Sequence, residues 1–276
     1  MMPRSLQFTT YIYMSMATFW TYDYACSLHE EWSFLLRSHW TKVKGLYIVT
    51  RYLPFIMLAM NLCMSFTPNE NPGKCGALDR ISSGFGMLLA VCSECFFILR
   101  TYALWNKNRI LLIAVLSTCF TFLVVSLSIA VDATVAVTYA TSAIPGIMGC
   151  YWSSTSYWLF IPFLFFCIFE LELMILTLIR AIQNWRTNPS HLYVILVNHN
   201  ISYYACGFLF SVTNVFTSLL LKYSYHTMFY NFQFMILAIL ATRMHLHLWQ
   251  TDRHPHGSST LASIPMSEMP SVNSTV

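Results

Sequence analysis

Seven ionisable side chains lie inside or at the ends of long apolar runs. Asp23, Arg51, Glu94, Glu170 and Glu172 fall within the runs, and Arg100 and Arg243 close to their ends. A charge at the middle of a membrane helix costs about 2.5–3.5 kcal/mol on insertion scales, so a set of this size must find partners. Counting about 1.5 Å of rise per residue, Arg51 lies roughly 10 Å in from the basic segment that precedes it. Glu94 and Glu170 come to a similar depth from their own cytoplasmic ends, and Asp23 lies shallower on the same side. The candidate site is therefore a polar cluster of Asp23, Arg51, Glu94 and Glu170 in the cytoplasmic half of a helix bundle. Such a cluster either locks the helices or acts as a switch or ion-linked site. Arg51 is expected to face the interior and pair with an acid: Glu94 matches it in depth, and Asp23 is nearer along the chain. Glu170 and Glu172 are two apart, about 200° around a helix, so only one of them can point inward.

The remaining chemistry-bearing residues support no reaction. His245 and His247 are also two apart and cannot share a helical face to hold a metal. No Gly-x-Ser-x-Gly, His-Glu-x-x-His or glycine-rich phosphate loop occurs, which leaves acyl transfer, metalloprotease and ATP-driven chemistry without support. Cys92 and Cys95 are three apart but have no partner Cys or His with metal-site spacing. No catalytic, cofactor-binding or metal-ligating set is expected, and the chain is not read as an enzyme.

The elements that must position these residues follow from composition. Of 276 residues, 57% are hydrophobic and only 9% charged, against about 25% charged in a soluble domain. The partner of so much apolar surface is a lipid bilayer, and the location a multi-pass membrane. No Lys/Arg cluster is dense enough for nucleic-acid binding. A span needs about 20 mostly apolar residues. Seven stretches qualify, at approximately 6–26, 46–66, 81–102, 110–131, 157–179, 201–221 and 228–247. One Arg before a Tyr-rich apolar stretch, with no small-residue cleavage site, argues for a retained first helix rather than a signal peptide. With the N-terminus outside, the cytoplasmic segments hold ten basic residues: Arg37, Lys42, Lys44, Arg100, Lys107, Arg109, Arg180, Arg186, Arg243 and Arg253. The opposite side holds four, Arg4, Lys74, Arg80 and Lys222. That bias orients the bundle N-out and C-in. Arg100 and Tyr102 then mark the cytoplasmic exit of the third helix. Cys75 and Cys150, the two loop cysteines, both fall on the oxidising side and are expected to form a disulfide. Residues 1–249 form the seven-helix domain, and 250–276, rich in Ser, Thr and Pro, a disordered cytoplasmic tail.

Several short motifs occur in a fixed order. Tyr22-Asp23-Tyr24 closes the first span, and a Trp-containing acidic loop follows, His29-Glu30-Glu31-Trp32. Then come Arg51-Tyr52-Leu53-Pro54-Phe55 and Leu99-Arg100-Thr101-Tyr102-Ala103-Leu104-Trp105. In this order they resemble a large basidiomycete family of multi-pass membrane proteins whose N-terminal region is classed as a domain of unknown function. The likeness covers about residues 15–110 and continues more weakly to Thr242-Arg243-Met244. His199-Asn200-Ile201 stands where that family often carries Arg-Asp-Gly. The resemblance implies an architecture and a fungal source, with no established activity.

The fold expected is thus all-α, a bundle of seven transmembrane helices with receptor-like topology. Helix count, orientation and the Cys75–Cys150 placement favour a receptor-like or signalling protein with an extracellular ligand and a cytoplasmic partner. The alternative is a small-solute or ion transporter or channel, which needs polar residues along a continuous path. A retinal protein is excluded, because the seventh span has no Lys for a Schiff base.

Overall fold

The computed structural model describes the backbone of residues 3–66, 72–135, 160–187, 191–220 and 223–261. These residues form seven helices: α1 (Pro3–Arg37), α2 (Lys42–Phe66), α3 (Pro72–Leu104), α4 (Arg109–Val135), α5 (Phe160–Thr187), α6 (His191–Leu220) and α7 (Tyr223–Leu261). Helices are what an apolar chain of this kind must form, since hydrocarbon offers no partner for a free backbone N–H or C=O. Five of them contain stretches long and apolar enough to cross a membrane, at Lys42–Met64, Gly76–Leu104, Arg109–Ile129, Phe160–Gln183 and Ile201–Leu220. The chain is a multi-pass, all-helical membrane protein.

Consecutive helices are neighbours, and α7 returns to pack on α1, closing the row into a ring. Within it α3 also meets α5 and α7, and α7 also meets α2, so α3 and α7 hold the central positions. The innermost side chains come from these and their neighbours: Trp20, Met57, Leu89, Leu173, Leu237, Ala238 and Ala241 are all fully buried. The α3–α7 approach is close at Gly86, where a Cβ would lie 3.2 Å from the Phe234 ring and the Tyr230 hydroxyl. Small residues at such crossings let helix backbones draw together where the hydrophobic effect cannot drive association. By contrast α4 packs chiefly on α3 and α5 among the described helices and turns Ile113, Phe120, Val124 and Leu127 outward.

Three element boundaries differ from those read in the sequence. The acidic stretch around His29–Trp32 is not a loop, because α1 runs on to Arg37. Its 35 residues reach well past a hydrocarbon core of about 30 Å at about 1.5 Å each. Apolar counting ends the first span at Cys26, but helix propagation needs only one more hydrogen bond per residue, not one more apolar side chain. For the same reason α7 continues through residues 250–261, which the sequence reading assigned to the tail. Similarly, α6 begins at His191 and takes in Asn198, His199 and Asn200. Residues 262–276 and Cys150 lie outside the described residues, as does the Cys75 side chain, so the expected Cys75–Cys150 disulfide lies there too.

Two connections are built from specific bonds. Lys44 Nζ reaches back to the carbonyls of Leu35 (2.7 Å) and Ser38 (2.8 Å), placing a cation at the carbonyl end of α1. The α3–α4 turn closes with the Lys107 N–H on the Tyr102 carbonyl (3.0 Å). Asn106 and Lys107 both sit in the left-handed region, at φ 53° and 58°. Asn108 then caps α4, its Oδ1 accepting from the Ile110 N–H at 3.0 Å.

Candidate functional site

Asp23, Ser27 and Glu31 recur every fourth residue of α1, so they line one stripe of it. The stripe faces Arg51 of α2. Arg51 donates through Nη1 to Asp23 Oδ2 (2.8 Å), through Nε to Glu31 Oε2 (3.1 Å) and through Nη2 to the Ser27 hydroxyl. The other oxygen of Asp23 takes Arg243 of α7, with Nη2 at 2.6 Å and Nε at 2.7 Å. Arg51, Asp23 and Glu31 are all buried, while Arg243 leaves about half of its side chain (47%) exposed. Two cations and two anions therefore balance in one network across α1, α2 and α7. Balance is what makes it tolerable: a buried charge survives only when paired and hydrogen-bonded. The guanidinium also sits over the rings of Trp20 (5.5 Å) and Tyr24 (5.4 Å), which adds a cation–π contribution.

About one turn further towards the C-terminal end of α1 lies an aromatic layer. His245 of α7 packs against Phe34, Tyr47 and Phe96, so it serves as a ring in a stack rather than as a ligand. Among the described residues, no three His, Cys, Asp or Glu side chains are grouped to hold a metal.

The other half of the expected cluster is elsewhere. Glu94 does not meet Arg51. Among the described residues, both of its oxygens, like both of Glu170's, lack a hydrogen-bond partner of good geometry. Depth along a helix sets a level and not a direction around it, so it could not separate Glu94 and Glu170 from the acids that face Arg51. Glu94 and Glu170 belong to the α3–α5–α6 side, where they act on each other electrostatically. Glu172 turns the other way, to Thr118 of α4. The two glutamates therefore divide between the interior and the periphery, as their spacing requires.

The C-terminal halves of α3 and α5 and the N-terminal half of α6 are held by a separate set of bonds. The Tyr204 hydroxyl reaches the Phe97 carbonyl at 2.9 Å and Thr101 Oγ1 at 3.0 Å. The Trp105 indole N–H donates to the Leu176 carbonyl (3.2 Å), and Arg180 Nε donates to the Leu104 carbonyl (3.1 Å). Arg100 is half-buried between these groups and the aromatic layer, with Tyr204 and His245 inside its electrostatic reach. Tyr102 contributes its carbonyl to the turn. Further out, Gln233 of α7 bridges Asn214 and Ser211 of α6, and Asn231 donates to the Tyr13 hydroxyl at 2.9 Å.

Sequence reasoning missed Ser27, Glu31 and Arg243 as members of the network. The signal for the first two was the four-residue repeat of polar groups beginning at Asp23. For Arg243 it was the need for a second cation once two acids face one.

A family model described as a family of unknown function (DUF6533) matches residues 11–56. That segment contains Asp23, Ser27, Glu31 and Arg51, the whole α1–α2 side of the network. No curated protein and no solved structure matches the chain.

Proposed function

We propose that this chain is a seven-span, receptor-like signalling protein, N-terminus outside and C-terminus in the cytoplasm, whose ion network selects between two packings of its inner half. The observation that carries the reading is the balanced, buried linkage of α1, α2 and α7 through Asp23. One carboxylate serves cations from two different helices, so a small movement of α7 transfers the whole of Asp23 to Arg51. That is the property of a bistable element biased by events on either face of the membrane. The lower apolarity of α1 and α7 is compatible with seven spans. Much of α7 between Phe234 and Leu246 is buried, so it needs little lipid-facing apolar surface of its own. The ten-to-four Lys/Arg bias supports the orientation. On this reading a ligand acts from outside and a cytoplasmic partner meets the basic turn after Arg100 and Tyr102. No catalysis is assigned, and a fungal source follows from the motif resemblance.

The test is reconstitution. Liposomes carrying the purified protein should pass no proton, sodium or potassium current. Asp23→Asn should raise amide hydrogen exchange at the inner ends of α1 and α7 while the rest of the bundle stays protected. A steady ion current through the unmodified protein overturns the reading in favour of a channel or transporter. Unchanged exchange in Asp23→Asn removes the two-packing element.

A further inference from the structure

Two carboxyl groups in the bundle interior have no use in the ion network. Glu94 on α3 and Glu170 on α5 are 3% and 4% exposed, and among the described residues none of their four oxygens has a hydrogen-bond partner of good geometry. A buried carboxylate ordinarily takes a cation or several N–H and O–H donors, and costs several kcal/mol without them (on the order of the penalty for any ion moved out of water). The groups facing this pair are all neutral or acidic. On α3 it is Cys95, on α4 Cys119, on α5 Cys167, and on α6 Cys206 and Tyr204. Ser211 of α6 also lies beside Glu170; its oxygen accepts from Gln233 of α7, which leaves its hydroxyl proton as a neutral donor towards Glu170 that cannot balance a charge. The nearest basic group along α3 is Arg100, which is six residues further on and oriented to Tyr204 and His245. The space is also shaped for the carboxyl: a Cβ on Gly207 of α6 would lie 3.3 Å from Glu170 Oε1.

We infer that Glu94 and Glu170 form an intramembrane proton-binding site, holding at least one proton while α3, α5 and α6 are packed and releasing it when they part. Two negative charges cannot coexist in such a place, because each is desolvated and each repels the other. Protonation removes the charge without needing a counter-ion, and the apolar and thiol surroundings then suit a neutral acid. The site is independent of the Arg51 network, sharing neither residues nor helix pairs with it. It therefore gives the bundle a second, proton-linked degree of freedom whatever its signalling role.

The unmodified full-length protein tests this directly. Dicyclohexylcarbodiimide adds to protonated carboxyls in apolar surroundings, leaving carboxylates untouched. In an ester-free detergent at neutral pH, mass spectrometry should locate the adduct on Glu94 or Glu170, with labelling that slows as pH rises. The infrared C=O band of a protonated carboxyl should be present in the unmodified protein and reduced in E94Q/E170Q, whose glutamines keep the volume. No adduct on either residue, together with an unchanged band in the double variant, overturns the inference. So does suppression of labelling by sodium at constant pH with choline as the control, which would make the occupant a metal cation. Should the double variant fail to fold, the labelling of the unmodified chain decides alone.

Discussion

Arg51 is the residue on which the packing of the C-terminal half of α1 against α2 depends, and its partners are unequally provided for. Asp23 keeps Arg243 if Arg51 is lost, whereas Glu31 has no other cation among the described residues. Arg51→Ala should therefore cost about 3–5 kcal/mol, the usual penalty for stranding one member of a buried pair. Adding Glu31→Gln should restore more folded yield than adding Asp23→Asn, and Glu94→Gln should restore none. Fluorescence-detected gel filtration of the four variants ranks them. Equal yield of Arg51→Ala and the parent would show that the guanidinium is solvated. Gly207→Ala is the milder probe of the other side. Its Cβ would stand 3.1 Å from Leu237 and 3.3 Å from the Glu170 carboxyl, so both must yield slightly, at about 1–3 kcal/mol. A thermal melt that does not move would mean that Glu170 has room to withdraw. How far these sites were legible in the sequence follows the geometry. Arg51 and Asp23 could be paired because their helices are consecutive, although depth along the helix favoured Glu94. The exclusion of Glu94 could not be seen, since depth fixes a level and not a direction around the helix.

At the scale of the element, the α3–α4 turn is the best-defined piece of local structure. Lys107 holds φ 58°, a conformation that costs an L-residue roughly 1 kcal/mol and glycine nothing. Lys107→Gly should accordingly raise the melting temperature or leave it unchanged, despite the greater entropy of the unfolded chain. Asn108→Ala removes the cap of α4 and should lower stability by about 1 kcal/mol. A melting shift of opposite sign in either variant would show that the turn rearranges. The existence of α2 to α6 was legible because each carries enough apolar residues to span. The lengths of α1 and α7 were not, because their ends are polar and helical hydrogen bonding continues where the apolar run stops. Helix faces were the least legible feature. In lipid the outward surface is as apolar as the core, so no simple apolar stripe marks the inside.

The whole molecule is set by orientation and by the central places of α3 and α7. A protease added to intact cells should spare a C-terminal epitope tag and remove one inserted in the 136–159 segment; the reverse pattern overturns the orientation. The general architecture was legible from composition, since 57% hydrophobic residues leave little but a bilayer as solvent. The arrangement of the helices was not, because adjacency around a ring depends on side-chain fit that no single span displays.

Chains are made from the N-terminus, and the ion network is not. When α1 and α2 first pair they bring Asp23, Glu31 and Arg51, two acids against one base. The second base, Arg243, belongs to α7, some two hundred residues later. Until α7 docks, Asp23 and Glu31 share Arg51, and the first helical pair of the network carries one unmatched acid. The contact that ties α7 to α1 is thus also the one that balances the charge of the first pair.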